Sequence, residues 1–528
     1  MISRQKVVLI SAILVMAILV GGCTTGSEPE SVRITLKSAI PSDPGTLNPV
    51  LAKSTAELQV SRIIFDGLTK LDPKSFEPKP GLARNWTLSS DNLKWTFELR
   101  DDVRWHDGEP FTAEDVKFSF DLMMDPQVNC YNRSVFRNVK DAVVVDQHKI
   151  EFILDVPFVS LPVMVANCFG IVPKHLLEGK DVNTYSEFNK KNPIGTGPFK
   201  LAEYKSGEYF HLVKNEDYYF AKVKADEVYL KIVPDINTQI AQLNSGELDL
   251  IPFDVANLPA VAESSDINLV KGIYPRWHAF HLNCNHPLFQ DVRVRQAISY
   301  AIDREAIIEN VLMGFGSVAT GPIIPAIEWA YNPNVTQYPL DLEKAKDLLA
   351  EAGWEDHDGD GILDKTGEPF RFEISVVGGS SVDEKASTII HQNLKAIGMD
   401  PSMKQYELSA WVEEVRDTRE GPNMFHSYFS WMTPEAEPDG IYKYFYSTPL
   451  NHTGYKNEEV DQLLDTGRSN GDREVRHQAY MRVQEILAEE CARIFLAYPH
   501  EVWAVRQGVQ GVYPGQPYVH SYDWTIEK

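Results

Sequence analysis

The run Asp356-His357-Asp358-Gly359-Asp360-Gly361 sets carboxylates at alternate positions ahead of a glycine. That is the opening of a loop in which oxygens converge on a hard cation such as calcium and the glycine permits the sharp turn. The twelfth position is Gly367, where an EF-hand needs a bidentate glutamate, so Asp364 or Glu368 would have to compensate. Two readings stay open: a structural calcium on Asp356, Asp358, Asp360 and Asp364, or a solvated Asp/Gly turn between a helix and a strand. His106-Asp107 could do acid–base chemistry, but no third group is positioned by sequence. A polar turn before a helix capped by Thr112, with Asp115 three residues on, is the better account. The sequence contains no His-Glu-x-x-His, no Gly-x-Ser-x-Gly and no Walker motif. Gly195-Thr196-Gly197 lacks the later Gly-Lys-[Ser/Thr] of a phosphate loop and reads as a turn at a strand edge. His211, His391 and His426 have no ligand partners at readable spacing. A secreted hydrolase using two distant carboxylates, such as a glycosidase, leaves no local motif and stands as the enzymatic alternative.

The density of rings between Phe425 and Tyr446 points to binding chemistry instead: Phe425, Tyr428, Phe429, Trp431, Tyr442, Tyr444, Phe445 and Tyr446. For Tyr442 to Tyr446 an aromatic-rich helix in the core is the simpler explanation. Trp431 differs, because Met432-Thr433-Pro434 should end a strand at a sheet edge, where ligands of open α/β sheets are usually held.

The elements that must position these groups can be read in outline. The sequence has 528 residues, 43% of them apolar, which is more than one core usually organises, so two or three domains are expected. Arg4 and Lys6 precede an apolar run from Val7 to Val20, too short to span a bilayer comfortably, and Gly21-Gly22-Cys23 follows. The formal charge of −24, with no basic stripe, argues against nucleic acid as a partner. Cys130, Cys168, Cys284 and Cys491 show no CxxC spacing, which speaks against zinc or redox chemistry. Whether Cys130 and Cys168 pair or stay as thiols is left open. Val32 to Ile40, Trp95 to Arg100 and Phe370 to Val377 read as strands. Glu57 to Phe65, Leu342 to Trp354, Val460 to Leu464 and Val475 to Ala488 read as helices. Such mixing implies α/β lobes.

Several segments resemble bacterial solute-binding protein family 5, the oligopeptide, dipeptide and nickel receptors of ABC importers. They are Leu82-Ala83-Arg84-Asn85-Trp86, Asp91 to Arg100, Val103 to Gly108, Thr112 to Val116, Pro193 to Phe199, and Phe289 through Arg304. Gly21-Gly22-Cys23 likewise resembles a lipoprotein lipobox. The resemblance implies a periplasmic-binding-protein-like type II α/β fold, two mixed lobes with a hinge and an extra subdomain in lobe I. It implies a signal peptide over 1–22 and a tether over 23–30 with Cys23 lipidated. Lobe I would comprise 31–78, 190–277 and 500–528, its subdomain 79–189, and lobe II 278–499. Ala279 to Asn283 and Ile494 to Val505 have the apolar, extended character of interlobe crossings.

The function implied is an extracytoplasmic, lipid-anchored monomer that captures a peptide or similar-sized organic solute and hands it to ABC permease subunits. A sensory protein on the same fold is the further alternative. No cofactor is implied. Leu47 and Asn48 would meet ligand from the first lobe. Trp411, Arg419 and the strand end Ser430, Trp431, Met432 and Thr433 would line the second-lobe pocket, with Tyr498 near the return crossing. One departure stands out: peptide receptors usually carry an aspartate three residues after that tryptophan for the peptide α-ammonium, and here the position is Pro434. Glu435, Glu437 or Asp439 could supply a substitute charge, or serve only the turn.

Overall fold

A computed structural model describes residues 33–527 apart from 168–169, 262–263, 418–419, 421–423, 435 and 449–450. The segments 1–22 and 23–30 with Cys23, and likewise Cys168, Arg419 and Glu435, lie outside the described residues. Among the described residues no helix is long and apolar enough to cross a membrane.

Two half-sheets share one strand. In the first, Thr35–Ile40 runs parallel to Glu227–Ile232, which pairs in turn with Tyr209–Lys214 and Phe199–Lys205. On its other side, Leu250–Phe253 leads to the long strand Ile494–Arg506. In the second, Trp277–Leu282 lies between the same long strand and Ser427–Met432, beyond which come Arg371–Val377 and Asp400–Tyr406. All six residues of Trp277–Leu282 are buried, as suits a strand covered on both faces.

The long strand is buried at Ile494–Tyr498 and again at Val502–Val505, but only partly between, at Pro499, His500 and Glu501. Beside that waist, Ile267–Ile273 ends opposite His500 and Trp277 begins the second half-sheet. The chain therefore crosses side by side at 274–276 and near 499–501. The first crossing was expected at Ala279 to Asn283; Ala279–Leu282 instead sits inside the second half-sheet, because its apolar run is long enough to be a central strand.

A separate four-stranded sheet, Ala83–Leu88, Lys94–Leu99, Lys149–Leu154 and Val139–Asp146, carries the helix Ala113–Met124 and shares the core of the first half-sheet. Asp115 accepts the Thr112 N–H at 2.9 Å, as the cap reading predicts. The Gly195–Gly197 turn fits closely on the end of the first helix, Thr55–Ile64. A Cβ at Gly195 would lie 1.9 Å from the Ile64 carbonyl oxygen, so no larger residue can stand there. His106 clasps the turn from behind: its Nδ1 accepts the Gly195 N–H at 3.2 Å and its Nε2–H donates to the Gly197 carbonyl at 3.0 Å. Burial pushes this imidazole down to about 4, so it is neutral at pH 7 and acts as a brace, not a base.

Candidate functional site

The strand Ser427–Met432 pairs with Trp277–Leu282 in the register His278 to Trp431 and Trp277 to Met432. It stops at Met432 because Pro434 cannot extend the ladder. Just past that end, Thr433, Pro434 and Ala436 form one wall of a cavity of about 210 Å³. The crossing supplies Tyr274 and Pro275. The opposite wall comes from Arg62 on the first helix, Phe76, the helix Leu161–Asn167 through Val163 and Met164, and Gly515 and Gln516. Met164 also lines a second cavity of about 320 Å³, between residues 134–138 and the stretch Asp439 to Lys443. The two spaces share Met164 as a wall.

The polar inventory of the first cavity is short. Arg62 Nε and Gln516 Oε1 are buried, and neither has a hydrogen-bond partner among the described residues. Thr433 Oγ1 accepts from Arg276 Nε at 3.4 Å, and the Arg276 guanidinium lies 5.1 Å from the Trp431 ring centre, a cation–π distance. Tyr444 donates its hydroxyl to the Thr433 carbonyl at 3.3 Å. Among the described lining residues no carboxylate faces this cavity.

Of the sequence-predicted residues one lines this cavity, and others lie along the strand that ends beside it. Thr433 lines the cavity. Trp431 is 50% exposed beside Arg276, and Ser430 bonds the Trp431 carbonyl at 3.3 Å. Met432 and Trp411 each pack against the cluster of Val415, Phe425 and Tyr428, Trp411 edge-on to Tyr428 at 5.2 Å from the helix Leu408–Asp417.

Others do not. Leu47 and Asn48 are fully buried. Asn48 Oδ1 accepts the Val50 N–H at 3.0 Å and Nδ2 donates to Asn189 Oδ1 at 3.1 Å, so they build the loop and cannot face a solute. Tyr498 is buried as well: its hydroxyl accepts the Gly321 N–H at 3.1 Å and donates to the Gly321 carbonyl at 2.8 Å, fastening that loop. The apolar, extended run Ile494 to Val505 put Tyr498 on a crossing strand but could not say which face it took.

Glu437 and Asp439 are likewise occupied. Glu437 is buried against Arg476, and Asp439 takes Arg468 on both oxygens at 2.8 and 3.1 Å. They are architectural ion pairs. In the Asp356 loop the carboxylates of Asp356, Asp358 and Asp360 come within 4.8 Å of one another, all exposed. Asp356 accepts the Gly359 and Gly361 N–H groups at 2.8 and 3.0 Å, and Asp360 that of Ile362 at 2.8 Å. Asp364 is outside that group and lies 3.1 Å from the Nδ1 of His357. Cys130 is a free thiol.

Arg62, Gln516 and the crossing residues 274–276 were missed from sequence. Arg62 looks like an ordinary basic residue in the last turn of a helix, and Gln516 falls in a Pro/Gly-rich stretch with no pattern. The aromatic pair Tyr442 and Tyr446 stacks at 4.3 Å and holds Asp465 through both hydroxyls, in line with a structural role.

Comparison with known proteins places this geometry. The chain is 29% identical to the oligopeptide-binding protein AppA of Bacillus subtilis, with 99% of each chain covered. It is 30% identical to heme-binding protein A of Haemophilus influenzae over 85% of this chain and 84% of that one. The structure of HbpA2 from Haemophilus parasuis superposes with a TM-score of 0.82 at 26% identity, covering 94% of this chain and all of the other. AppA in complex with a nonapeptide superposes with a TM-score of 0.71, over 94% and 100%. The family model described as bacterial extracellular solute-binding proteins, family 5 Middle, matches residues 77–452. The chain belongs to the family 5 bacterial extracellular solute-binding proteins, substrate-binding components of ABC importers and not enzymes.

Proposed function

We propose that this protein captures a peptide or similar-sized organic solute in the gap between its half-sheets and delivers it to the permease of an ABC importer. The supporting observation is a cavity walled from both half-sheets directly beside a two-strand crossing, the arrangement in which closure is absorbed by a few residues. Relatives named for oligopeptides and heme agree with a solute of that size. In this reading 31–78, 190–277 and 500–528 form lobe I, 79–189 its subdomain and 278–499 lobe II. Cys23 carries the lipid that keeps the receptor at the outer face of the cell membrane. Trp411, Arg419, Ser430, Trp431, Met432 and Thr433 are the second-lobe contacts, and the Asp356, Asp358 and Asp360 carboxylates take a weakly held calcium.

The test is a melting-temperature or tryptophan-fluorescence screen with di- to pentapeptides, oligosaccharides and nickel chelates. A true ligand at 100 times its Kd stabilises the folded state by about 2.7 kcal/mol. A flat response to the whole panel would remove the capture reading. Trp431→Ala is expected to weaken binding by roughly 1 to 3 kcal/mol, and unchanged affinity in a folded variant takes Trp431 off the site. Labelling with radioactive palmitate, lost in Cys23→Ser, checks the anchor. Calorimetry after chelation checks the calcium, which fails if millimolar ion gives no heat.

A further inference from the structure

We infer that the solute is recognised through a free carboxylate, and that Arg62 is the residue that receives it. This rests on the receptor reading and names the class of ligand its cleft would take. The chain as a whole carries a formal charge of −24, yet the described lining of its cleft is basic. In the first cavity Arg62 is the sole ionic side chain among the described residues. In the second, the described ionic side chains include Arg137 and the Arg468–Asp439 pair, in which Asp439 already holds Arg468. An acidic body with a cationic gap concentrates field lines of one sign where a ligand enters, which favours anions.

Two unsatisfied groups give the charge a shape. Arg62 Nε is buried with no partner among the described residues, a donor whose desolvation is uncompensated until something accepts from it. Gln516 is 4% exposed, lines the same cavity, and its Oε1 is an acceptor with no donor among the described residues. A guanidinium and a waiting amide oxygen on one cavity complement a carboxylate with an N–H one or two bonds away, the end of a peptide or of an N-acyl amino acid. Among the described residues no such provision exists for the other end. Pro434 stands where an ammonium partner would be, and Glu437 and Asp439 are committed to Arg476 and Arg468.

Titration calorimetry with di- and tripeptides as free acids, as C-terminal amides and as N-acetylated acids tests this. Amidation should weaken binding roughly 10- to 100-fold, the size of one charge-assisted contact. N-acetylation should change it by no more than about fivefold. Arg62→Gln should bring acids and amides to equal affinity while the ligand-free melting temperature holds. If amides bind the wild type as well as acids do, or Arg62→Gln keeps the preference, the inference is overturned and the receptor reading stands. If no peptide binds in any form, small dicarboxylates and their neutral diamides decide. Dicarboxylates that stabilise the wild type but not Arg62→Gln uphold the anionic subsite and remove peptides as the solute; no response to either overturns the inference, and the receptor reading then rests on the oligosaccharides and nickel chelates of the wider panel.

Discussion

The two walls of the cleft treat buried charge in opposite ways. On the second half-sheet's side, Glu437 and Asp439 are each closed by an arginine from their own body, Arg476 from the helix Arg473–Glu489 and Arg468 from the helix Glu458–Ser469. On the first half-sheet's side, Arg62 Nε and Gln516 Oε1 are buried with nothing to meet them among the described residues. The difference separates two jobs that composition alone confuses. A buried charge satisfied within one body sets the shape of that body, whereas a buried polar group left open at a gap is available to a visitor. The largest expected effect follows from the closed wall: Arg476→Ala strands the Glu437 carboxylate in the interior and should cost about 3 to 5 kcal/mol in denaturant unfolding. Arg62→Gln removes an uncompensated donor and should leave stability within about 1 kcal/mol. Equal losses in the two variants would erase the contrast.

The open wall has its own dependence on pH, through the brace behind it. His106 holds the Gly195–Gly197 turn against the end of the helix that carries Arg62, and it does so as a neutral ring depressed to about 4 from 6.5. As pH falls below 6.5 the unfolded chain takes up this proton first. The stability contributed by His106 is therefore complete above about 6.5 and is lost progressively down to about 4, about 3 kcal/mol in all. His106→Gln should flatten that part of the stability profile, and hydrogen exchange at pH 5 should loosen the first helix before the helix Arg473–Glu489. A profile identical in the variant would mean that other groups govern the acid limb.

Much of the frame was legible because it repeats local rules. Alternation placed Thr35–Ile40 and Lys94–Leu99, and the spacing of Thr112 and Asp115 placed a helix start that the structure keeps. Pro434 marked the end of the Ser427–Met432 strand because it has no N–H to donate to the ladder. The site was less legible, because facing a cavity is a property of two distant segments at once. Asn48 and Tyr498 are buried and spend their polar atoms inside the protein, on Val50 and Asn189 and on the Gly321 loop. Arg62 and Gln516 are separated by most of the chain and share no pattern, and only the fold shows that one donor and one acceptor are left over in the same space.

The smallest effect concerns how the walls come together. Away from the crossing, the turn between the helices Glu458–Ser469 and Arg473–Glu489 touches the first body at three points: Arg473 on Glu77, Asn92 Nδ2 on the Ser469 carbonyl at 3.2 Å, and the Val159 N–H on the Arg468 carbonyl at 3.3 Å. The Arg473–Glu77 pair is partly exposed and therefore weak on its own. Arg473→Ala should lower stability by no more than about 1 kcal/mol. Its consequence should appear in kinetics: with the far end of the gap less firmly closed, ligand should leave faster by a few-fold while the association rate holds. Dissociation measured by stopped-flow tryptophan fluorescence reads this directly. An unchanged off-rate would mean that closure is set at residues 274–276 and 499–501 alone, and that these contacts only follow it.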